Sequence, residues 1–167
     1  MDERSEMVAL RDGGWIRVRP ISSADGAALV RFHEGLTRET TRLRFFIVHP
    51  ELSAKEVERF THVDHQDREA LVVLDGVDII AVGRFDRMPG SDDAEVAFVV
   101  ADAWQGHGVG TVLLEALTAR ARAVGVTGLI AETLEENHRM RHLFRHLGLP
   151  GTSSAQMGVV RVAVRLD

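Results

Sequence analysis

Hydrophobic and polar residues follow two periods along this chain, one typical of strands and the other typical of helices. Residues 15–19 alternate between apolar and basic side chains, as a half-buried strand does. Ser22 and Ser23 each offer an N-cap, and Ser53 with Glu56 three residues later has the spacing of a capping box. In this first part of the chain the pattern predicts a strand at residues 15–19 and helices at residues 22–35, 38–46 and 53–60.

The rest of the chain continues both periods and marks its turns. Asp75 and Gly76 separate two apolar runs and predict a hairpin closed by a type I′ turn. Pro89 and Gly90 predict a second turn. We expect residues 1–10 to be frayed. The pattern predicts strands at residues 70–74, 77–85, 95–100, 129–133 and 159–166, and helices at residues 111–124 and 137–147.

Composition narrows the class of protein. The 167 residues suit one domain, and a hydrophobic content of 45% is enough for a core. The chain has no cysteine, which removes disulfides and thiolate metal sites. Its formal net charge of −5 argues against broad binding of nucleic acid. Because the sequence has no apolar run of about 18 residues and no basic, apolar N-terminal signal, we expect no membrane contact and a cytoplasmic location.

A glycine-rich loop between a predicted strand and a predicted helix carries the strongest chemical signal. Its residues are Gln105, Gly106, His107, Gly108, Val109 and Gly110. Glycines let successive N–H groups converge on an anion at a helix N-terminus, so the loop predicts a phosphorylated cofactor. No Lys-Ser or Lys-Thr follows the glycines, so the loop is not a Walker motif. A dinucleotide fold is disfavoured, because the third glycine comes one residue early for GxGxxG and the strand lies late in the chain.

The order Gln-x-x-Gly-x-Gly after a strand resembles the acetyl-CoA loop of the GNAT superfamily of N-acetyltransferases. A second motif of that family, an asparagine followed by a helix, a glycine and an apolar residue, is matched by Asn137, Met140, Leu143, Phe144, Gly148 and Leu149. The resemblance covers about residues 15–166, and we expect a single domain over residues 1–167. It implies an α/β (α+β) fold, with a mixed, mostly antiparallel central sheet, helices on both faces and a splayed strand pair that holds acetyl-CoA.

The same resemblance implies which residues bind acetyl-CoA. Backbone amides of the glycine loop would hold the coenzyme A pyrophosphate, and the strand before the loop would bond to the pantetheine arm. We expect Asn137 to contact the pantetheine while it also caps its helix, and Arg141 to be either a ligand of the adenosine 3′-phosphate or a solvated side chain. The predicted acetyl-CoA contacts are Phe98, Val99, Val100, Gln105, Gly106, His107, Gly108, Val109, Gly110, Thr111, Asn137 and Arg141.

Transfer of an acetyl group to an amine requires a base, because an ammonium with a pKa near 10.4 must first lose its proton. Glu95, on the strand that leads to the loop, is the candidate, and it resembles the glutamate on this strand in family members that acetylate protein lysine. Glu132 is the rival base, and a solvated strand residue is the alternative interpretation of Glu95. The resemblance implies that a backbone N–H near Val99 or Val100 polarises the carbonyl. The chain has no tyrosine, and Phe144 stands where many relatives place the tyrosine that protonates the leaving thiolate.

Two clusters of polar residues have structural explanations. His138, His142 and His146 recur every four residues, but the opposite face of that helix is apolar, so we expect the histidines in solvent and no metal. The second cluster precedes the hairpin, and we expect a solvated loop there in preference to part of an acceptor channel. Its residues are His62, Asp64, His65 and Asp67.

The acceptor is open to more than one interpretation. Residues 43–46, 56–64 and 94–100 resemble the catalytic domain of bacterial Pat-type protein lysine acetyltransferases, which modify acyl-CoA synthetases. That resemblance implies a protein substrate. An acetyltransferase of small amines is the alternative, and a non-catalytic acyl-CoA binding module is a third interpretation. Either a monomer or a homodimer fits the family.

Overall fold

The computed structural model describes residues 4–47 and 49–166 and contains one eight-stranded sheet. Its strands are β1 (Glu6–Ala9), β2 (Trp15–Pro20), β3 (Arg68–Asp75), β4 (Asp78–Arg87), β5 (Asp93–Val100), β6 (Gly128–Leu134), β7 (Gly151–Gln156) and β8 (Val159–Arg165). Its helices are α1 (Gly26–Glu34), α2 (Arg38–Phe45), α3 (Ala54–Thr61), α4 (Val109–Ala123) and α5 (His138–His146). Within the described residues, no helix is long and apolar enough to cross a membrane.

The strands lie side by side in the order β1-β2-β3-β4-β5-β6-β8-β7. Neighbouring strands are antiparallel, with the exception of β5 and β6, which are parallel. One apolar core packs α4 and α5 against one face of the sheet, and a second core packs α1 against the other face. The predicted fold class, a mixed and mostly antiparallel sheet with helices on both faces, is therefore confirmed.

The two parallel strands stay together only at their beginnings. Their registered pairs are Asp93 with Gly128, Ala94 with Leu129, and Glu95 with Ile130. Beyond the last pair, β5 continues to Val100 beside β4, and β6 continues to Leu134 beside β8. The strands therefore diverge and open a gap in the sheet, which we call the splay.

Side chains alternate between the two cores along the central strands. Phe85 and Phe98 belong to the core under α4 and α5, whereas Val82 and Val99 border the core under α1. Phe144 is 3% exposed and lies with its ring 6.4 Å from the ring of Phe98. Phe144, at the position where the family resemblance implies a tyrosine, thus contributes to the core in this chain.

Two strands were not predicted from the sequence. Glu6–Ala9 forms β1 and pairs with β2, so the expectation that residues 1–10 are frayed is wrong for the strand, while residues 1–3 lie outside the described part. Gly151–Gln156 forms β7 at the other edge of the sheet, with all of its residues exposed. Its polar sequence has no apolar period, because an edge strand exposed on both faces needs only backbone pairing to β8.

The hairpin between β3 and β4 is confirmed, but its turn differs from the prediction. Asp75 pairs with Asp78, so the turn residues are Gly76 and Val77. Gly76 has a φ of 60°, and Val77 is not among the residues with positive φ. A positive φ at the first central position alone defines a type II′ turn, so the predicted type I′ turn is wrong.

Candidate active site

A cavity of about 680 Å³ lies where β5 and β6 have diverged. Its walls come from α2 and its N-cap, the end of β5, the glycine loop, the first turn of α4, and the turn before α5 with the N-terminal part of that helix. The lining residues that belong to these walls are Thr37, Glu39, Thr40, Leu43, Arg44, Phe98, Val99, Val100, Asp102, Trp104, Gln105, Gly106, Gly108, Gly110, Thr111, Glu136, Asn137, His138, Arg139, Met140, His142 and Leu143.

The glycine loop presents the N-terminus of α4 to this cavity. Gly108 is the N-cap residue, with a φ of 87° that favours glycine. The N–H of Val112 donates to the Gly108 carbonyl at 3.2 Å, so the N–H groups before it, from Val109 to Thr111, have no helical acceptor. These donors and the positive end of the helix dipole make a site for an anion such as a phosphate.

The exposed edge of β5 forms the wall of the splay. The Ala101 N–H donates to the Ile80 carbonyl at 2.8 Å, so residue 101 directs its backbone groups toward β4. Because backbone groups alternate in direction along a strand, Val100 and Phe98 direct theirs into the splay and Val99 directs its own toward β4. The Gln105 side chain donates to the Val100 carbonyl at 3.1 Å, which ties the glycine loop to this wall.

Most of the residues predicted from the sequence to contact a coenzyme line this cavity, and four of the predicted site residues do not. His107 is exposed, and its Nδ1 lies 3.0 Å from Asp12 Oδ2. Val109 is buried in the core. Arg141 donates to the Glu135 carbonyl at 3.3 Å. The fourth is Glu95, which lies near the closed end of the splay.

The N-terminus of α5 contributes one expected and one unexpected residue. Asn137 caps the helix, because its Oδ1 accepts the Met140 N–H at 3.3 Å, and it lines the cavity as well. Arg139 also lines the cavity, and its guanidinium donates to Gln105 Oε1 on the glycine loop. Sequence reasoning missed Arg139, because its contact with the glycine loop joins residues 34 positions apart and has no local signature.

Asp102 connects the end of β5 to the start of α2. It accepts hydrogen bonds from the Thr37 N–H at 3.1 Å, the Thr37 hydroxyl at 2.9 Å and the Thr40 hydroxyl at 2.6 Å. Burial raises the pKa of Asp102, but the hydrogen bonds from Thr40 and Thr37 outweigh it and hold the pKa below its ordinary value of 3.8. The α2 wall of the cavity is therefore fixed to the strand that leads into the loop.

A cluster of ion pairs joins α2 to the turn before α5. Arg42 pairs with Glu136 at 2.9 Å and with Glu39 at 2.8 Å. Hydrogen bonds to Glu39 and Glu136 raise the pKa of Arg42 above its ordinary value. Because Glu39 on α2 and Glu136 before α5 both line the cavity, Arg42 ties these two walls together.

Glu95, the candidate base, is exposed and lies opposite Asp86 on β4 and opposite Ile130 on β6. Its carboxylate acts electrostatically on Arg44, which reaches the cavity from α2. The rival Glu132 pairs with Arg161 at 3.1 Å across β6 and β8.

The polar clusters noted in the sequence take structural positions. His138, His142 and His146 are all exposed, as predicted, and the first two also line the cavity. Residues 4–47 and 49–166 bring together no group of three His, Asp or Glu side chains suited to a metal ion. In the loop before β3, Asp64 accepts the N–H groups of Gln66 and Arg68 at 2.9 Å. His65 pairs with the buried Glu69 at 2.7 Å.

Comparisons with known proteins agree with this arrangement. The model of the acetyltransferase (GNAT) family matches residues 34–149. Acetyltransferase Pat of Mycolicibacterium smegmatis is 34% identical over 144 residues, which are 84% of this chain and 43% of that protein. The chain therefore spans less than half the length of this relative.

Solved structures show the same fold. The GNAT domain of S. lividans PAT has a TM-score of 0.92 and 42% identity, covering 99% of this chain and 98% of that one. A GNAT superfamily phosphinothricin acetyltransferase from Sinorhizobium meliloti, solved in complex with acetyl-CoA, has a TM-score of 0.71 at 18% identity, covering 89% and 86% of the two chains. The chain therefore belongs to the acetyltransferase (GNAT) family, has a Pat-type acetyltransferase among its similar relatives, and is an acyltransferase by its family.

Proposed function

We propose that this chain transfers the acetyl group of acetyl-CoA to the side-chain amine of a lysine in a protein, such as an acyl-CoA synthetase. The observation that carries the proposal is the cavity in the splay, which joins the backbone groups of β5 to the N-terminus of α4. A long ligand with a phosphate group at one end and an amide-rich arm fits such a site, and acetyl-CoA has both parts.

The coenzyme is held by backbone groups in this proposal. Its pyrophosphate accepts hydrogen bonds from the loop and from the first turn of α4, between Gly106 and Thr111. Its pantetheine arm lies in the splay and bonds to the backbone groups that Phe98 and Val100 direct there. Asn137 contacts the arm, and Arg139 or Arg141 contacts a phosphate group, with Arg139 favoured because it lines the cavity.

Glu95 is the general base of the proposed reaction. It removes a proton from the lysine ammonium, and because it is exposed it can pass that proton to water. The neutral nitrogen then attacks the thioester carbonyl, whose oxygen accepts the Val100 N–H. The C–N bond forms and the C–S bond breaks. The nitrogen gives up its second proton to the departing thiolate or to water, so the coenzyme leaves as a thiol or a thiolate. No tyrosine is required, and the chain has none.

The protein acceptor is supported by the similarity to Pat-type acetyltransferases, at 34% identity for the Mycolicibacterium protein and 42% for the S. lividans domain. The experiment incubates the purified chain with acetyl-CoA and a panel of acyl-CoA synthetases and small amines. Thiol release and mass spectrometry of acetylated lysine are measured together. The proposal predicts thiol release matched by acetylation of a synthetase lysine. Release with small amines alone would instead favour a metabolite acetyltransferase.

A further inference from the structure

A second, smaller cavity adjoins the first one on the α1 side of the sheet. Its volume is about 30 Å³, enough for a few non-hydrogen atoms. Val99 and Arg44 border both cavities, so the second cavity opens next to the end of the splay where we place the thioester. Most of its other walls are apolar, and they include Phe32, Phe45 and Val82.

The second cavity contains a buried cation without a carboxylate partner. Arg84 on β4 is 6% exposed and lines this cavity. Its guanidinium lies 4.2 Å from the centre of the Phe60 ring. Within the described part of the chain, its hydrogen bonds are two long ones of 3.5 Å to the Phe60 carbonyl. Among residues 4–47 and 49–166, no Asp or Glu lies within ion-pair distance of Arg84.

The charged groups near Arg84 do not neutralise its charge. Asp86 lies on the same face of β4 but pairs with Arg68 at 3.1 Å, and Glu95 opposite it is exposed. Arg44 adds a second cation, and its guanidinium lies 4.5 Å from the centre of the Phe45 ring. Among the described residues, Arg44 also forms no ion pair. Burial and then the charge of Arg44 lower the pKa of Arg84 to about 9. A buried, unpaired charge lowers the stability of the folded state, and an anion that binds beside it would offset this cost.

We propose that the second cavity receives the terminal carboxylate of a short dicarboxylic acyl group on coenzyme A, with succinyl as the best fit, and that Arg84 binds this carboxylate with help from Arg44. The inference rests on the proposed function for the coenzyme site and the lysine acceptor, and it adds to acetyl a second acyl group that the same site accepts. Transfer follows the same balance as before: the amine nitrogen forms the amide bond, the C–S bond breaks, and the terminal carboxylate takes no part.

The strand register supports this length of acyl group. Arg84 lies opposite Ala97, three residues before Val100 on β5, where we place the thioester, and this separation is about 10 Å along the strand. The side chains of Ala97 and Val99 point to the same face as Arg84. The two methylenes of a succinyl group and the long Arg84 side chain together span this distance, and the apolar walls suit the methylenes.

The test is calorimetric titration of the full chain with acetyl-CoA and with succinyl-CoA, which needs no acceptor. We expect succinyl-CoA to bind more tightly than acetyl-CoA. The Arg84→Met variant should reduce the ratio of the two affinities by about tenfold or more, the usual loss for a charged hydrogen bond. Arg31→Met is the matched control, because Arg31 is exposed on α1, and it should leave the ratio unchanged.

Two results would overturn this inference and leave the proposed function standing. One is a wild-type chain that binds acetyl-CoA but prefers it to succinyl-CoA, and the other is an Arg84→Met variant that retains the wild-type ratio. Binding of neither thioester would contradict the coenzyme assignment itself, and the inference with it. If Arg84→Met does not fold by circular dichroism, Arg44→Met gives the decisive ratio, because that residue is half-buried and we expect the same direction of change.

Discussion

Glu95 lies opposite Ile130 in the last registered pair between β5 and β6. The carboxylate that we propose as the base therefore stands where the two parallel strands begin to separate. Beyond this pair, at Phe98 and Val100, the backbone groups of β5 face the splay without a registered partner on β6 and can bond to a ligand. This relationship puts a proton acceptor and unpaired backbone groups on the same short segment of one strand.

The glycine loop should lose affinity for the coenzyme when Gly108 gains a side chain. Its φ of 87° strains any L-residue, at a cost of about 1–2 kcal/mol. If the loop relaxes, the N–H groups at the start of α4 turn away from the phosphate. We predict that Gly108→Ala weakens acetyl-CoA binding by about tenfold, measured by calorimetry.

Gly125 provides a matched control for that variant. It has a φ of 82° and follows the opposite end of α4, so Gly125→Ala introduces the same kind of strain far from the cavity. Both variants should lower the melting temperature, but only Gly108→Ala should lower the affinity. A parallel loss of affinity in Gly125→Ala would mean that global destabilisation, not the loop, explains the effect.

The hydrogen bonds of Asp102 should make part of the stability depend on pH. The pKa of this group is lowered in the folded state, so its contribution is present above its unfolded value of 3.8 and is lost as the pH falls through the lower folded value. We predict that Asp102→Asn is less stable than the wild type by about 1 kcal/mol at pH 7, since the group is partly exposed. Urea unfolding at a series of pH values measures this difference in stability between Asp102→Asn and the wild type. A difference that persists unchanged in acid would refute the role given to the Asp102 carboxylate.

Arg139 should contribute more to coenzyme binding than Arg141 does. Arg139 lines the cavity beside the glycine loop, whereas Arg141 is engaged with the Glu135 carbonyl. We predict that Arg139→Met weakens acetyl-CoA binding by about tenfold and that Arg141→Met has a smaller effect. Titrations at two salt concentrations should show a weaker salt dependence for Arg139→Met. The reverse order of the two variants would restore Arg141 as the phosphate ligand.

Much of the fold was readable from the sequence, because apolar periods and caps are local signals. The capping box of Ser53 and Glu56 is an example, with bonds of 3.1 Å and 3.0 Å in the structure. The hairpin was also recognisable, but its turn type depends on which residue makes the last strand pair, and composition does not settle that. β7 was missed because a polar edge strand gains its place from backbone bonds to β8.

The candidate site also has residues that the sequence predicts and residues that only the structure shows. The glycine loop and Asn137 carry motifs with fixed spacing, so sequence reasoning found residues that the cavity brings together. Arg84 and Arg139 have no such motif. Their positions follow from the packing of helices against the sheet and from strand register, which relate residues far apart in the chain. Long-range pairings of this kind are set by the tertiary structure and have no local signature.

The measurement that tests the account most directly compares Glu95→Gln with the wild type in two assays, acetyl transfer to the acceptor and calorimetric binding of acetyl-CoA. The account predicts that kcat falls by about 10²–10⁴-fold, as expected for a lost general base, while the affinity for acetyl-CoA stays nearly unchanged. Glu132→Gln, which alters a carboxylate paired with Arg161 on the next strand, should retain most of its activity. Equal losses of turnover and affinity in Glu95→Gln, or a larger loss of turnover in Glu132→Gln, would contradict it.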